Sequence, residues 1–265
     1  MAATNLVTLT TDFGGSDHFV GTMRGVILGV NPAANVVDLC NSVSSYDVLD
    51  GALTIAQAYR YFPSDTIHMV VVDPGVGSAR RPLLVTTTRH YFIAPDNGVL
   101  SLVIEQEERV TVRHITAEHY FLQPVSNTFH GRDVFAPCAG WMSKGVEPDK
   151  FGDEITDFVR FTLPRPKQVS ERVLKGSVLK VDKFGNLITN LTVENAPAVF
   201  AAGAQVKITV GQAVVAGIRT AYAQGQAGEV FGLLNSMGYL EIACNRGAAS
   251  QLAKAGRGAD VVVEF

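Results

Sequence analysis

Cysteine is scarce in this chain. Its 265 residues hold three, Cys40, Cys138 and Cys244, at wide spacings with no C-x-x-C. That odd, scattered set excludes a disulfide framework and a zinc knuckle, and leaves reduced thiols in the core or lining a site. Charge of one sign is lacking as well. The formal net charge is -3 and the pI about 6.1, so no basic field exists to hold nucleic acid. No run of about 18 apolar residues occurs, which excludes a transmembrane helix. Met1 to Asp12 has neither a cationic start nor a long apolar stretch, so no leader is expected. These absences predict a cytoplasmic protein with no membrane partner. Internal repeats and low-complexity segments are missing too.

Apolar residues, by contrast, make up 47% of the chain, enough to build more than one core. The first part alternates. A strand is expected over Leu6 to Thr11, a helix from about Asp17 to Val30, a strand over Val36 to Leu39, a helix from about Tyr46 to Tyr61 and a strand over His68 to Asp73. That β-α-β-α-β order is the pattern of a wound, mainly parallel sheet with crossover helices. Further strands follow at Leu83 to Thr87, Tyr91 to Ala94 and Val110 to Ile115, with helical patterns at Val99 to Gln106 and Asp133 to Met142. Pro164 and Pro166 then break regular structure. After them come seven short strands between glycines: Gly176 to Val181, Asn186 to Leu191, Gln205 to Val210, Ala213 to Ile218, Glu229 to Leu234, Tyr239 to Cys244 and Val261 to Phe265. The expected class is therefore α/β: an N-terminal α/β domain over 1–162, a linker over 163–172 and a smaller C-terminal all-β barrel over 173–265.

Several turns carry chemistry-bearing side chains. Val72-Asp73-Pro74-Gly75-Val76-Gly77-Ser78-Ala79-Arg80-Arg81 delivers a carboxylate from a strand end into a turn closed by two arginines. Open α/β sheets bind ligands at that edge; taken alone, the segment also reads as a capped turn. It is not a phosphate loop, because the G-K-[ST] ending is missing. Thr10-Thr11-Asp12-Phe13-Gly14-Gly15-Ser16-Asp17-His18 puts Asp12 at the same edge. There it suits the two hydroxyls of a ribose, while Asp12, Asp17 and His18 together are metal-ligand types. Asp17 is also placed to cap the helix that follows. Phe129-His130-Gly131-Arg132-Asp133 sets a proton-exchanging histidine before a helix that Asp133 could cap. Asp182-Lys183-Phe184-Gly185-Asn186 offers a carboxylate, an aromatic face and an amide, suited to an amine and a planar base, or else forms an ordinary turn around a buried Phe. Asn235-Ser236-Met237-Gly238-Tyr239-Leu240-Glu241-Ile242-Ala243 reads by itself as a hairpin.

Taken in order, T-D-F-G, V-D-P-G-V-G-x-x-R, F-H-G-R-D, D-K-F-G-N and N-S-x-G-Y-L-E-I-A strongly resemble the S-adenosyl-L-methionine (SAM) hydrolases, or SAM hydroxide adenosyltransferases, relatives of fluorinating and chlorinating enzymes. The match runs from Thr10 to about Asn245. The resemblance implies a homotrimer that binds SAM between the N-terminal domain of one subunit and the C-terminal domain of the next, and releases adenosine and methionine. By motif, it assigns Asp73, Arg80 and His130 to the attacking water and Asp12 to the ribose. Asp182 and Ser236 would meet the amino-acid end. Phe184, Asn186 and Tyr222 would contact adenine, and Asn245 joins the substrate-binding set. Met237, Cys244 and Arg246 fall where the adenine end would be lined. No cofactor and no metal are implied, since SAM is itself the substrate.

The rivals are halide transfer on the same scaffold, a non-catalytic SAM or adenosine module, and a metal-dependent nucleotide phosphohydrolase built on Asp12, Asp17 and His18. The resemblance ties the Arg80 and His130 pair to the hydrolases, and the segment after Arg80 lacks the long insertion that marks the fluorinating branch, so both speak against the first.

Overall fold

The computed structural model describes residues 5–202 and 205–265. The chain divides into two compact units between Thr162 and Leu163.

In the first unit the strands are β1 (Leu6–Thr11), β2 (Asn35–Cys40), β3 (Thr66–Val71), β4 (Pro82–Thr87), β5 (His90–Pro95) and β6 (Val110–His114). The helices are α1 (Phe19–Val30), α2 (Val48–Ala58), α3 (Ser101–Gln106) and α4 (Ala136–Ser143). The strands form one sheet in the order β2-β1-β3-β5-β4-β6. Pairing from β2 to β5 is parallel, and β4 and β6 complete the sheet antiparallel. Every residue of β3 is buried, as expected of a strand covered on both faces. Val7, Leu9, Ile67, Met69 and Val71 pack with Met23 and Ile27 of α1 and with Ala136 and Ala139 of α4. Helix α1 forms because Val20, Met23 and Ile27 fall on one stripe at helical spacing. Each large side chain so buried contributes about 1.5–3 kcal/mol.

The opposite face of the sheet holds a polar island. The Thr8 hydroxyl and His68 Nδ1 lie 2.7 Å apart, and His68, His90 and Tyr59 are all but fully buried. Burial first, and then the neighbouring His90, pushes the His68 pKa down to about 3.

In the second unit β7 (Lys167–Ser170), β8 (Val173–Val181), β9 (Leu187–Thr192), β10 (Lys207–Val210), β11 (Ala213–Ala216), β12 (Ile218–Arg219), β13 (Val230–Leu234), β14 (Tyr239–Cys244) and β15 (Asp260–Glu264) form a nearly closed, barrel-like sheet. Its order is β11-β10-β15-β8-β9-β14-β13-β12, with β7 beside β8. Leu187, Leu191, Ile208, Val210, Phe231, Leu240, Ile242 and Val263 fill the interior.

Two sequence expectations need correction. The stretch 163–172 is not wholly a linker, because β7 lies within it. All four of its residues are exposed, so it carries no buried alternation to read. The barrel expected of the second unit is present, and two short alanine-rich helical segments, α5 (Pro197–Ala202) and α6 (Ala249–Ala253), connect its strands. The strand expected over Ala213 to Ile218 breaks at Gly217, whose φ of +77° few residues other than glycine adopt easily and whose N–H turns to the Val206 carbonyl.

Candidate active site

Parallel pairing sets Thr11 beside Val71, so the residues that follow both strands leave the sheet at one edge. Regular pairing stops at Val71, two residues earlier than the sequence suggests, and Asp73 opens a tight turn. The Ser78 hydroxyl donates to the Gly75 carbonyl at 2.6 Å, and the Arg80 N–H donates to the same hydroxyl at 3.3 Å. Gly77 has φ +78°, and a Cβ there would lie 2.3 Å from the Asn127 carbonyl oxygen. The turn is thereby seated against the loop that leads to His130.

Arg80 folds back across this turn. Its Nε donates to Asp73 Oδ1 at 2.8 Å, and its Nη2 contacts both Asp73 Oδ2 and His130 Nδ1, the latter at 2.8 Å. Both charged side chains are nearly buried, Arg80 at 8% exposure and Asp73 at 4%, and the guanidinium lies over the Phe135 ring at 5.3 Å. Arg80 Nη1 is also buried and makes no hydrogen bond to protein. Because guanidinium only donates, His130 Nδ1 is the acceptor, and the neutral ring carries its proton on Nε2. Burial, followed by the Arg80 charge, lowers the His130 pKa, so the neutral form is favoured.

His130 precedes a π-helical turn, Gly131–Phe135, that runs into α4. Asp133 does not cap that helix. It is fully buried and accepts from Ser126 N at 2.8 Å and Arg132 Nε at 2.6 Å, which ties the loop before His130 to the turn after it. Arg81 points away from Arg80 and pairs with Asp96 and Asp157, each at 2.8 Å.

Asp12 follows β1 directly and accepts the Tyr46 N–H at 2.8 Å. Tyr46 is 75% exposed in a left-handed backbone conformation, φ 64°, and no sequence feature singles it out. Asp17 and His18 are both exposed, and α1 has no side-chain cap, so Asp17 does not serve as one. Among the described residues no three His, Cys, Asp or Glu side chains group as a metal site.

The second unit holds a cavity of about 580 Å³ lined by Asp182, Phe184, Asn186, Tyr222, Cys244, Asn245, Arg246 and Gly247. Asp182 organises its own turn, with Oδ1 accepting from Phe184 N and Asn186 N at 2.8 Å and Oδ2 from Asn186 Nδ2 at 3.0 Å. Phe184 is 72% exposed rather than the buried core of a turn. Asn245 Nδ2 donates to the Gly225 carbonyl at 2.7 Å. Tyr222 donates its hydroxyl to Glu241 at 2.7 Å, and its phenol pKa is raised, by burial first and then by that acid. Ser236 is exposed on the hairpin turn and is not among the cavity-lining residues.

Glu241 escaped the sequence reading. The available signal was a lone acid between buried Leu240 and Ile242.

The structure thus joins Asp73, Arg80 and His130 by hydrogen bonds and gathers five of the other seven expected residues around one cavity. Models of the SAM hydroxide adenosyltransferase N-terminal and C-terminal domains match residues 7–152 and 176–262. An (R)-S-adenosyl-L-methionine hydrolase of Methanocaldococcus jannaschii is 30% identical over 258 residues, covering 94% of this chain and 91% of its own. A fluorinase of an Actinoplanes species is 26% identical over 270 residues, covering 91% of each. The crystal structure of an uncharacterized conserved protein from Thermotoga maritima superposes with a TM-score of 0.91 at 32% identity, over 98% of this chain and 100% of that one.

Proposed function

Since the chain belongs to the SAM hydroxide adenosyltransferase family, we propose that it hydrolyses SAM to adenosine and L-methionine by attack of water on the ribose C5'. One observation carries this reading: a buried arginine fully engaged on one side by Asp73 and His130, with Nη1 left as a donor that no protein group accepts from. Nη1 is the group that holds the oxygen of substrate water in line with the C–S bond.

The bond order follows. A water lone pair forms the C5'–O bond as the C–S pair returns to sulfur, so methionine departs as a neutral thioether. That leaving group needs neither a Lewis acid nor a proton, hence no metal and no cofactor. Attack by water first makes a protonated, strongly acidic alcohol. His130 Nδ1 already accepts from Arg80 and its Nε2 bears a proton, so the ring has no free lone pair. Asp73 keeps acceptor capacity beside Arg80 and takes the proton before passing it to solvent.

On the same reading Asp12 holds the ribose hydroxyls, and Asp182, Phe184, Asn186, Tyr222, Ser236 and Asn245 hold the rest of the substrate. The enzyme works in the cytoplasm as a homotrimer whose neighbouring subunits supply the catalytic trio and the cavity.

The test is incubation with each sulfonium epimer, since the archaeal relative is named for the (R) form. In heavy-oxygen water, with a chelator present, label is expected in the 5' hydroxyl of adenosine and methionine in equal amount. S-adenosylhomocysteine, methylthioadenosine or, with halide added, a 5'-halo nucleoside as main product refutes hydrolysis.

A further inference from the structure

Glu241 takes no part in the chemistry above, yet it is the one buried acid among the described residues of the second unit, at 3% exposure. A carboxylate so placed is costly unless its oxygens are bonded. Both are. Oε1 accepts from the Tyr222 hydroxyl at 2.7 Å and Oε2 from Asn235 Nδ2 at 3.3 Å. The two donors stand on different segments: Tyr222 opens the short helical turn Tyr222–Gln224 and lines the cavity, while Asn235 opens the hairpin turn that bears Ser236.

Asn235 passes the constraint on, its Oδ1 accepting from Met237 N and Tyr239 N, each at 3.0 Å. A continuous hydrogen-bonded chain therefore runs from the Tyr222 phenol through Glu241 to the backbone around Ser236. Tyr222 is 47% exposed, so packing alone does not fix its ring.

We propose that Glu241 is a positioning residue that locks the Tyr222 ring and the Asn235–Gly238 turn together, making one rigid wall for the substrate. The role rests on the adenosyl-substrate reading of the cavity. It acts on binding rather than on the bond-making step, so it separates KM from kcat.

Steady-state kinetics on SAM with Glu241→Ala, Glu241→Gln, Tyr222→Phe and the Tyr222→Phe/Glu241→Ala pair test it. Glu241→Ala is expected to raise KM about tenfold, the loss of one hydrogen bond to a charged group, with kcat within about twofold. Glu241→Gln restores KM, because the amide oxygen accepts from Asn235 and the amide N–H donates to the Tyr222 oxygen. The double variant is expected to be no worse than the weaker single one, as the two side chains form one linkage. Unchanged KM in Glu241→Ala, a fall confined to melting temperature, a loss confined to kcat, or additivity in the pair overturns the role. Wild-type turnover of SAM is the control for the functional reading. If wild type leaves SAM intact, that reading fails, and the role is judged by calorimetric binding of adenosine to the same proteins, where equal affinities overturn it.

Discussion

On the proposed function, Arg80 is the residue on which binding and chemistry separate. Two of its nitrogens are committed to Asp73 and His130, and the third, Nη1, is buried without a hydrogen-bond partner in the protein. Arg80→Ala is therefore expected to lower kcat by about 10²–10⁴ while calorimetric SAM affinity stays within about tenfold. Arg80→Lys does not rescue it, because an ammonium cannot fork onto two carboxylate oxygens and a ring nitrogen together. His68 yields a different kind of prediction. Its folded pKa is about 3 against an ordinary 6.5, so between those values the unfolded chain binds a proton that the folded chain refuses. The part of the stability governed by His68 is then flat above about pH 6.5 and falls as pH drops toward 3. Urea midpoints against pH should show that decline, and His68→Leu should shallow it. Legibility from the residues alone follows distance along the chain, and His130, 50 residues from Arg80, is grouped with it only through the family resemblance. Asp73 and Arg80 stand seven residues apart in one turn, whereas Tyr222 and Glu241 are 19 apart. Pairing across that span depends on the three-dimensional approach of the hairpin, which spacing alone does not reveal.

Among the elements, the Asp73–Arg80 turn and the loop before His130 meet at Gly77. Replacing Gly77 with Ala places a methyl group 2.3 Å from the Asn127 carbonyl in a backbone conformation that alanine disfavours. The two segments must part, and with them Arg80 and His130. Gly77→Ala is expected to cut turnover at least about tenfold with a melting-temperature loss of only a few degrees; full activity would show that the contact is dispensable. The buried strands β1 and β3 were legible because β-branched and apolar residues make up all of β1 and all of β3 but His68. β7 was not, as its residues face solvent. The helix starts misled for a related reason. Asp17 and Asp133 are both cap-forming types just before a helical pattern, but the first points to solvent and the second is recruited inward by Ser126 and Arg132. Cap preference records what a side chain can do locally, and tertiary partners decide otherwise.

For the whole molecule, the proposed trimer makes a quantitative prediction. Subunits carrying Asp73→Ala and subunits carrying Asp182→Ala, each inactive alone, should complement when refolded together. From equal amounts, about a quarter of the sites would pair an intact trio with an intact cavity from the neighbour. Activity near that fraction in particles of trimer size supports the shared site, and none in mixed oligomers overturns it. The charge of the molecule bears on a separate matter, the choice of nucleophile. The chain is net negative at -3, and Arg80, the cation proposed to hold the nucleophile, is paired with a carboxylate that shares its burial. On the proposed reading, a chloride ion entering there would give up its hydration without meeting any unbalanced positive charge, so water is expected to prevail over an abundant anion. Removing the balance should reverse the preference. In Asp73→Asn the uncompensated guanidinium is expected to admit halide, seen as chloride inhibition or a 5'-chloro product that wild type does not show at the same salt.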